Sequence, residues 1–285
     1  QDASKRGCEI HFLPATPGGI VEVDALRKTL CQIQSNRSES ASRKSPKTLV
    51  AVMSANNETG VIQPIEAIYE ICREADALLH VDATQSIGKV PATVADIPAD
   101  SITITAHKFH GPSGAGALWI KQGIPLRPLL LGGEQQLLSR PGTEPVALIM
   151  GMARAFDIAV EKQSASGQWM AMLRDRFESA LRDDLDDLMF HGENENRLPG
   201  TTCVSFAGTE RQSMLMALDL SGIACSSGSA CSSGSSPPSH VLRAMSCPQW
   251  AIQSAIRFSV SRFSTVDEID EAARRICRIC NRLRS

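Results

Sequence analysis

Three reactive side chains stand out because of where they lie in the sequence. Lys108 follows a strand-like run and precedes a glycine-rich segment, in the stretch TAHKFHGPSGAGALW. Asp82 lies where a short apolar run leaves its predicted strand, in HVDATQSIGK, and Cys231 lies inside the small-residue run GIACSSGSACSSGSSPPS. An amine, a carboxylate and a thiol together could hold a carbonyl-bearing cofactor, balance its charge and attack a substrate.

Each of these residues also has an ordinary structural interpretation. A lysine after a strand is most often a surface charge, and an aspartate at a strand end is either a helix cap or a site residue. Taken together, however, Lys108 and Asp82 supply what pyridoxal phosphate needs. A carboxylate of this kind keeps the pyridine nitrogen protonated, so that the ring can accept electrons from a substrate.

The nine cysteines of the chain differ in their surroundings. Seven lie in apolar or helical patterns, where a buried small hydrophobic residue is the default. Cys225 and Cys231 lie in the Ser/Gly/Ala run; Cys225 stands at its strand-like start and is predicted to pack, whereas Cys231 lies in what reads as a movable loop. Only about 3% of an ordinary thiol is thiolate at neutral pH, so a base such as His107 would assist Cys231.

Composition limits the class of protein. With 285 residues, 42% of them hydrophobic and 21% charged, the chain can build a globular core. The net charge of -2 argues against a nucleic-acid binder, and no apolar stretch reaches membrane-spanning length. The scattered, odd-numbered cysteines indicate a reducing compartment, the cytoplasm or an organelle matrix. The lone CxxC of Cys277 and Cys280 is predicted to be two cysteines on a helix face, without a metal.

In the first half of the chain, strand-like runs alternate with helical ones. This alternation predicts an α/β fold with a mostly parallel sheet flanked by helices, which binds ligands at the carboxyl ends of its strands. A polar, serine-rich surface loop is expected at 35–47. The predicted strands are 8–14, 48–55, 78–83, 101–106 and 116–120, and the predicted helices are 23–34 and 65–75.

The second half begins with a long helical pattern at 144–185 that is predicted to break at Ser164–Gly167. A strand at 202–207, a helix at 211–220 and a last helix after a capping-type sequence at 264–268 follow. We expect two domains. Residues 1–162 form the remainder of a large cofactor-binding domain, and residues 163–285 form a smaller α/β domain that carries the cysteine loop.

Six motifs, read in order, resemble the signatures of the cysteine desulfurases, the NifS/IscS-like enzymes of the class V aminotransferase group. The motifs are SANNETGVIQPI, HVDATQS, TAHKFHGP, RPGTEP, SSGSACSSGS and AIRFSVSRF, and they extend from about residue 8 to the C-terminus. The resemblance implies the pyridoxal-phosphate-dependent transferase fold of aspartate aminotransferase. Judged against the family pattern, roughly the first quarter of that fold would precede residue 1.

The resemblance implies cofactor-binding roles for residues of the first domain. Lys108 matches the lysine that binds pyridoxal 5'-phosphate covalently, and Asp82 matches the partner of the ring nitrogen. Gln85 matches the residue that bonds the phenolic oxygen of the ring. Thr105 and His107 match phosphate-binding positions.

Other matches concern the substrate and the second subunit. Asn57 matches a residue near the ring oxygen and the substrate carboxylate, and Arg257 matches the arginine that grips this carboxylate, a task suited to a planar bidentate donor. Thr143 matches a threonine that reaches the phosphate of the neighbouring subunit, which implies a homodimer with shared sites. Cys231 matches the nucleophile that becomes a persulfide.

The activity implied is removal of sulfur from L-cysteine, which yields L-alanine and an enzyme persulfide. In this reaction Lys108 would take the α proton and Cys231 would attack the substrate sulfur. The persulfide would pass to a sulfur acceptor or an iron–sulfur scaffold protein. Two alternatives remain open. One is a selenocysteine lyase, and the other is an inactive fragment or interaction subunit, because the family's ring-stacking histidine and a phosphate-binding threonine would lie before residue 1.

Overall fold

The computed structural model describes residues 2–38, 48–91, 95–228 and 237–284. Within those ranges it contains two sheets with helices packed around them. The helices are α1 (Asp2–Lys5), α2 (Val23–Ser38), α3 (Ile65–Glu74), α4 (Val146–Glu161), α5 (Gln163–Asp184), α6 (Arg211–Leu220), α7 (His240–Ala244), α8 (Gln249–Ser254) and α9 (Val266–Arg284). The strands are β1 (Leu49–Met53), β2 (Leu78–Asp82), β3 (Ser101–Thr105), β4 (Gly116–Ile120), β5 (Leu188–Phe190), β6 (Thr201–Phe206) and β7 (Ala255–Ser259).

The first sheet has the strand order β1-β2-β3-β4. β1, β2 and β3 run parallel, and β4 is antiparallel to β3. Parallel neighbours need a crossover, and α3 provides the one between β1 and β2. The predicted mostly parallel sheet with flanking helices is therefore confirmed. In its register Met53 pairs with Asp82 and Asp82 with Thr103, so the carboxyl ends of three strands meet at one edge.

The first hydrophobic core forms between this sheet and helices α2, α3 and α4. Leu79, Val81 and Ile102 are fully buried on the strands, and Leu26 and Ile68 pack against them from the helices. Burying side chains of this size contributes about 1.5–3 kcal/mol each relative to leaving them exposed. The same core therefore fixes the strand ends that carry Asp82 and Lys108.

The second sheet is antiparallel, with the order β5-β6-β7, and has a core of its own. All six residues of β6 are buried. Helix α8 packs against β6, and helices α5 and α9 pack against each other. Phe177 of α5 and Phe206 of β6 both meet the ring of Phe258 on β7. The division into residues 1–162 and 163–285 stays a proposal, which the two separate cores support.

The last helix begins as predicted. The backbone N–H of Glu268 donates to Thr265 Oγ1 at 3.3 Å, and the N–H of Thr265 donates to Glu268 Oε2 at 2.8 Å, which is a capping box. Cys277 and Cys280 are both buried on α9, in agreement with a helix-face interpretation. No helix in the described ranges is both long enough and apolar enough to cross a lipid bilayer.

Several predicted elements were wrong or misplaced. Residues 8–14 form no strand, since no neighbouring strand pairs with them in the described part of the chain, and Phe12 is 91% exposed. The long helix breaks at Lys162 and not at Ser164–Gly167; the N–H of Ser166 donates to Lys162 O at 2.9 Å, so the small residues fit the first turn of α5. The expected loop at 35–47 begins later, because α2 continues to Ser38, and residues 39–47 lie outside the described ranges.

Candidate functional site

A cavity of about 170 Å³ lies between the two sheets. Four of the predicted site residues line it: Asn57, Gln85, Lys108 and Arg257. The remaining lining residues are Lys89, Met170, Gly200, Thr201, Ser259 and Val260. Residues that lie 200 positions apart in the sequence, Asn57 and Arg257, therefore meet at one place.

Lys108 is placed by a short 3₁₀ turn, Ala106–Phe109, that follows directly on β3. Ala106 and Phe109 are buried in the first core, and the ring of Phe109 meets the edge of Phe156 at 5.9 Å. Because residues three apart share a face of a 3₁₀ turn, these two anchor one side and leave Lys108 on another, beside the cavity. The turn ends at His110, which adopts a left-handed conformation with φ of 66°.

Asp82 lies at the carboxyl end of β2, on the edge where three strands meet. Its backbone O accepts from the N–H of Ser54 at 2.8 Å, and its carboxylate Oδ1 accepts from the N–H of Thr84 at 2.9 Å. The side chain is exposed and is not part of the cavity lining. One carboxylate oxygen thus closes the turn after β2, Oδ2 makes no hydrogen bond among the described residues, and the role of Asp82 in the site stays a prediction.

Thr105, His107 and Thr143 lie outside the cavity lining. Thr105 Oγ1 is 3.1 Å from His107 Nδ1, so these two predicted phosphate-binding residues do contact one another at the end of β3. Thr143 is exposed on the segment that leads to α4. Cys231 lies outside the described residues, within the segment 229–236.

Arg257 is held on three sides. Its backbone pairs with Cys203 on β6 and, on its other edge, with Ser226, whose carbonyl O accepts from the Arg257 N–H at 2.7 Å. Its guanidinium Nη1 donates to Asn57 O at 2.6 Å. No carboxylate in the described ranges forms a salt bridge with Arg257, so the remaining guanidinium N–H groups are available to an anion in the cavity.

The sequence did not single out Lys89, which lines the same cavity. Its Nζ donates to Gln85 Oε1 at 3.2 Å. Burial, and then the charges of Lys108 and Arg257, lower the pKa of Lys89 to about 8. The signal was present: Lys89 follows Gln85 by four residues, at the end of the motif HVDATQSIGK.

The charge of the cavity follows from its lining. Lys89, Lys108 and Arg257 bring three cationic side chains together, and none of the ten lining residues is acidic. Gathering positive charge away from water is costly unless a counter-charge is present. The charge of the lining therefore favours an anionic ligand.

Glu58 is a buried carboxylate beside the cysteine segment, at 2% exposure. Ser239 Oγ donates to Glu58 Oε2 at 2.6 Å and accepts from the N–H of Leu242 at 3.1 Å, which caps α7. On the other side of the segment lies Gly228, with φ of +81°; a Cβ there would lie 3.0 Å from Glu58 Oε2. Both described flanks of residues 229–236 therefore meet the same carboxylate.

Cys225 fits its predicted packed role. It is partly buried against the second core, and burial followed by the charge of Asp219 raises its pKa to about 11. A thiol with so high a pKa is almost entirely protonated at neutral pH and is a poor nucleophile.

Comparisons with known proteins agree with one another. A family model described as aminotransferase class-V matches residues 1–272. A cysteine desulfurase of Cereibacter sphaeroides is 39% identical over 282 residues, and the match covers 99% of this chain and 68% of that protein. The cysteine desulfurase IscS of Dictyoglomus turgidum is 37% identical over 281 residues, with coverage of 99% and 68%.

A solved structure gives the same picture. The X-ray structure of a NifS-like protein from Rickettsia africae superposes with a TM-score of 0.86 at 28% sequence identity. The match covers 98% of this chain and 72% of that one. The chain spans 68% of the length of each of the two curated relatives above.

The contact between Ser239 and Glu58 predicts a difference between two serine variants. Ser239→Ala removes a donor to a buried carboxylate and the cap of α7, so we expect the free energy of unfolding to fall by about 2–3 kcal/mol. Ser213→Ala is the matched control, because Ser213 Oγ also donates to a glutamate, Glu210, but at an exposed site. We expect it to cost less than about 1 kcal/mol. Urea unfolding followed by circular dichroism measures both; equal losses would contradict the buried anchor.

Proposed function

Because this chain belongs to the class V aminotransferase family, among its cysteine desulfurases, we propose that the cavity between its two cores binds L-cysteine. The products are L-alanine and a persulfide on Cys231. One observation carries the proposal: Lys108 from the first sheet and Arg257 from the second line a single cavity that has no acidic lining residue. A primary amine beside an anion-binding guanidinium is what an amino-acid substrate and a carbonyl cofactor require.

The residues around the cavity fit pyridoxal 5'-phosphate, which is an anion. The fit rests on the three convergent cations, on the free Oδ2 of Asp82 and on the paired Thr105 and His107. When bound, the cofactor supplies an aldehyde for a lysine amine and a ring that accepts electrons from the substrate. Lys108 would hold it covalently, Asp82 would accept from its ring nitrogen, and Thr105 and His107 would bind its phosphate.

Arg257 is the proposed carboxylate-binding group. Its hydrogen bond to Asn57 O and the backbone pairing of β7 orient the guanidinium before substrate arrives. Pre-orientation reduces the entropy lost on binding, and a planar guanidinium can engage both carboxylate oxygens. Lys108, lining the same cavity, is the proposed base for the α proton.

Sulfur transfer then falls to Cys231. Its thiolate attacks the substrate sulfur, so that a new S–S bond forms as the C–S bond breaks. The electrons of the C–S bond remain with the carbon, which takes up a proton to become the alanine methyl group. A sulfur acceptor or an iron–sulfur scaffold protein would take up the persulfide sulfur. Cys225 is not proposed for this role, because its thiol is packed and its pKa is raised to about 11.

A homodimer with shared sites is part of the proposal. The segment that leads to Thr143 exposes three leucines almost completely: Leu129 at 81%, Leu131 at 89% and Leu137 at 95%. Large apolar side chains exposed along one segment favour an interface with another protein. Closed two-fold dimers are the commonest solution, and Thr143 would then face the phosphate site of the partner.

Lys108 is tested by cofactor retention. After incubation with pyridoxal phosphate, borohydride reduction and dialysis, the unsubstituted protein should retain the absorbance of the reduced cofactor and gain the mass of one cofactor. Lys108→Ala should lose both, because the amine that forms the covalent link is gone. Lys121→Ala, a change at an exposed lysine, serves as the control and should behave as the parent. A cofactor adduct retained in Lys108→Ala would show that the lysine is misassigned.

Arg257 is tested by separating substrate binding from folding. Arg257→Ala should raise KM for cysteine by about 10- to 100-fold, the effect of losing charge-assisted hydrogen bonds, while cofactor binding and Tm change little. Arg176→Ala, which removes an exposed ion pair with Asp270, should leave KM unaltered. A large fall in Tm with an unchanged KM would instead assign Arg257 a purely structural role.

Cys231 is tested against Cys225. Cys231→Ser should still bind cofactor and cysteine yet release no sulfide, because a hydroxyl does not accept the sulfur. Cys225→Ser should keep most activity. Mass spectrometry after cysteine treatment should find one added sulfur on Cys231 of the unsubstituted protein. Added sulfur on Cys225, or normal desulfuration by Cys231→Ser, would refute the assignment, and release from selenocysteine with almost none from cysteine would identify a selenocysteine lyase.

A further inference from the structure

Lys89 has no part in the roles described above, although it lies in the same cavity as Lys108 and Arg257. We propose that Lys89 is a positioning residue that fixes the orientation of the Gln85 amide and keeps a positive charge beside Lys108. The inference rests on the proposed function, since it concerns how the cavity is prepared for an anionic carbonyl cofactor.

The backbone leaves Lys89 little choice of direction. Gly88 has φ of +73°, and a Cβ at this position would lie 2.8 Å from the Cβ of Ala159 on α4. Only glycine fits so tight an approach in a left-handed conformation. The N–H of Lys89 donates to Ser86 O at 2.9 Å, which closes the turn. The packing of Gly88 against α4 therefore fixes the backbone position of Lys89, and the side chain of Lys89 lines the cavity.

The hydrogen bond from Lys89 selects one of the two orientations of the Gln85 amide. A side-chain amide has an accepting oxygen and a donating NH₂, and an ammonium group can only donate. Lys89 Nζ therefore engages Oε1, at 3.2 Å, and leaves the NH₂ of Gln85 as a free donor. A donor is what the phenolic oxygen of the cofactor needs when it is ionised. Without Lys89, the amide could present its oxygen there instead.

The second effect of Lys89 is electrostatic. The charged groups that face it are Lys108 and Arg257, and burial, then Arg262 and then Lys89, lower the pKa of His110. A protonated Lys89 adds to the positive charge that an anionic ligand meets in the cavity. Since burial and its neighbours lower the pKa of Lys89 to about 8, this contribution should fade above that pH.

The first test needs no cofactor. The dissociation constant of inorganic phosphate, a small anion, is measured by isothermal titration calorimetry at pH 7 and pH 9. Lys89→Met removes one of the three cations that line the cavity, so phosphate should bind about tenfold more weakly at pH 7, the effect of losing one charge-assisted contact. Lys89→Arg keeps the charge and should bind phosphate like the parent, and so should Lys121→Met, a change at an exposed lysine.

The second test uses protein loaded with pyridoxal phosphate. The pH midpoint between the two absorbing forms of the bound cofactor should rise by about one unit in Lys89→Met and stay within a few tenths in Lys89→Arg. In a Gln85→Ala background, Lys89→Met should shift this midpoint by less, because part of the effect acts through the amide. A shift of the same size in both backgrounds would remove Gln85 from the proposal.

The outcomes separate the inference from the proposed function. Unchanged phosphate binding and an unchanged midpoint in Lys89→Met would overturn the role of Lys89, while cofactor retention in the Lys108 experiment would still stand. If the parent and Lys108→Ala both retain no cofactor, the proposed function fails instead. The phosphate affinities would then still decide whether Lys89 supplies positive charge to the cavity.

Discussion

The turn at residues 56–62 joins the two cores, and the site depends on how its buried polar groups are satisfied. Asn56 Oδ1 accepts from the N–H groups of Glu58 and Thr59 at 2.8 and 3.0 Å, so the turn is closed from within. Its outward-facing groups are bound by the second half of the chain: the Leu198 N–H donates to Gly60 O at 2.8 Å, and Arg257 donates to Asn57 O. Gly60 and Leu198 are buried, and because a buried polar group without a partner costs roughly 1–3 kcal/mol, their hydrogen bond holds the turn to the second half of the chain. The contact between Arg257 and Asn57 lies at an exposed position.

The ion pair of Glu178 and Arg197 stabilises the segment that contacts this turn. Both side chains are about 95% buried, and Arg197 Nη1 donates to Glu178 Oε1 at 2.9 Å, so α5 is tied to the segment that bridges Val61. A buried ion pair is costly to assemble but more costly to break, because the partner that remains is an unpaired charge. Its contribution is therefore to hold α5 and the segment that bridges Val61 in one arrangement.

With the two halves of the chain in contact at this turn, three cationic side chains line the same cavity: Lys89, Lys108 and Arg257. Their repulsion is an energetic cost that an anionic ligand would relieve. Together with burial, the charges of Lys108 and Arg257 lower the pKa of Lys89 to about 8. Glu58, which belongs to the turn at residues 56–62, lies against both described flanks of the segment that contains Cys231. The turn thus contacts Arg257 and, through Glu58, both described flanks of the segment that contains Cys231.

The sequence by itself determined the parts of this protein that depend on local pattern. The alternation of strands and helices, the capping box at Thr265 and the order of six motifs were enough to predict the α/β fold, the family and the four site residues that line the cavity. Short elements such as α7, α8 and β5 were not predicted from the sequence, because tertiary packing stabilises them more than their own propensity does. Residues 8–14 were wrongly predicted as a strand, since a strand also needs a partner, and partners are not visible in a local pattern.

Only the tertiary structure decided which side chains meet. The contact between Glu58 and Ser239 spans 181 residues, and that between Asn57 and Arg257 spans 200, so no spacing in the sequence could indicate either. Lys89 looked like one more lysine after a glycine until the packing of Gly88 on Ala159 brought it into the cavity. Its charge matters because the fold places it beside Lys108 and Arg257, away from water, where charges interact more strongly than on the surface.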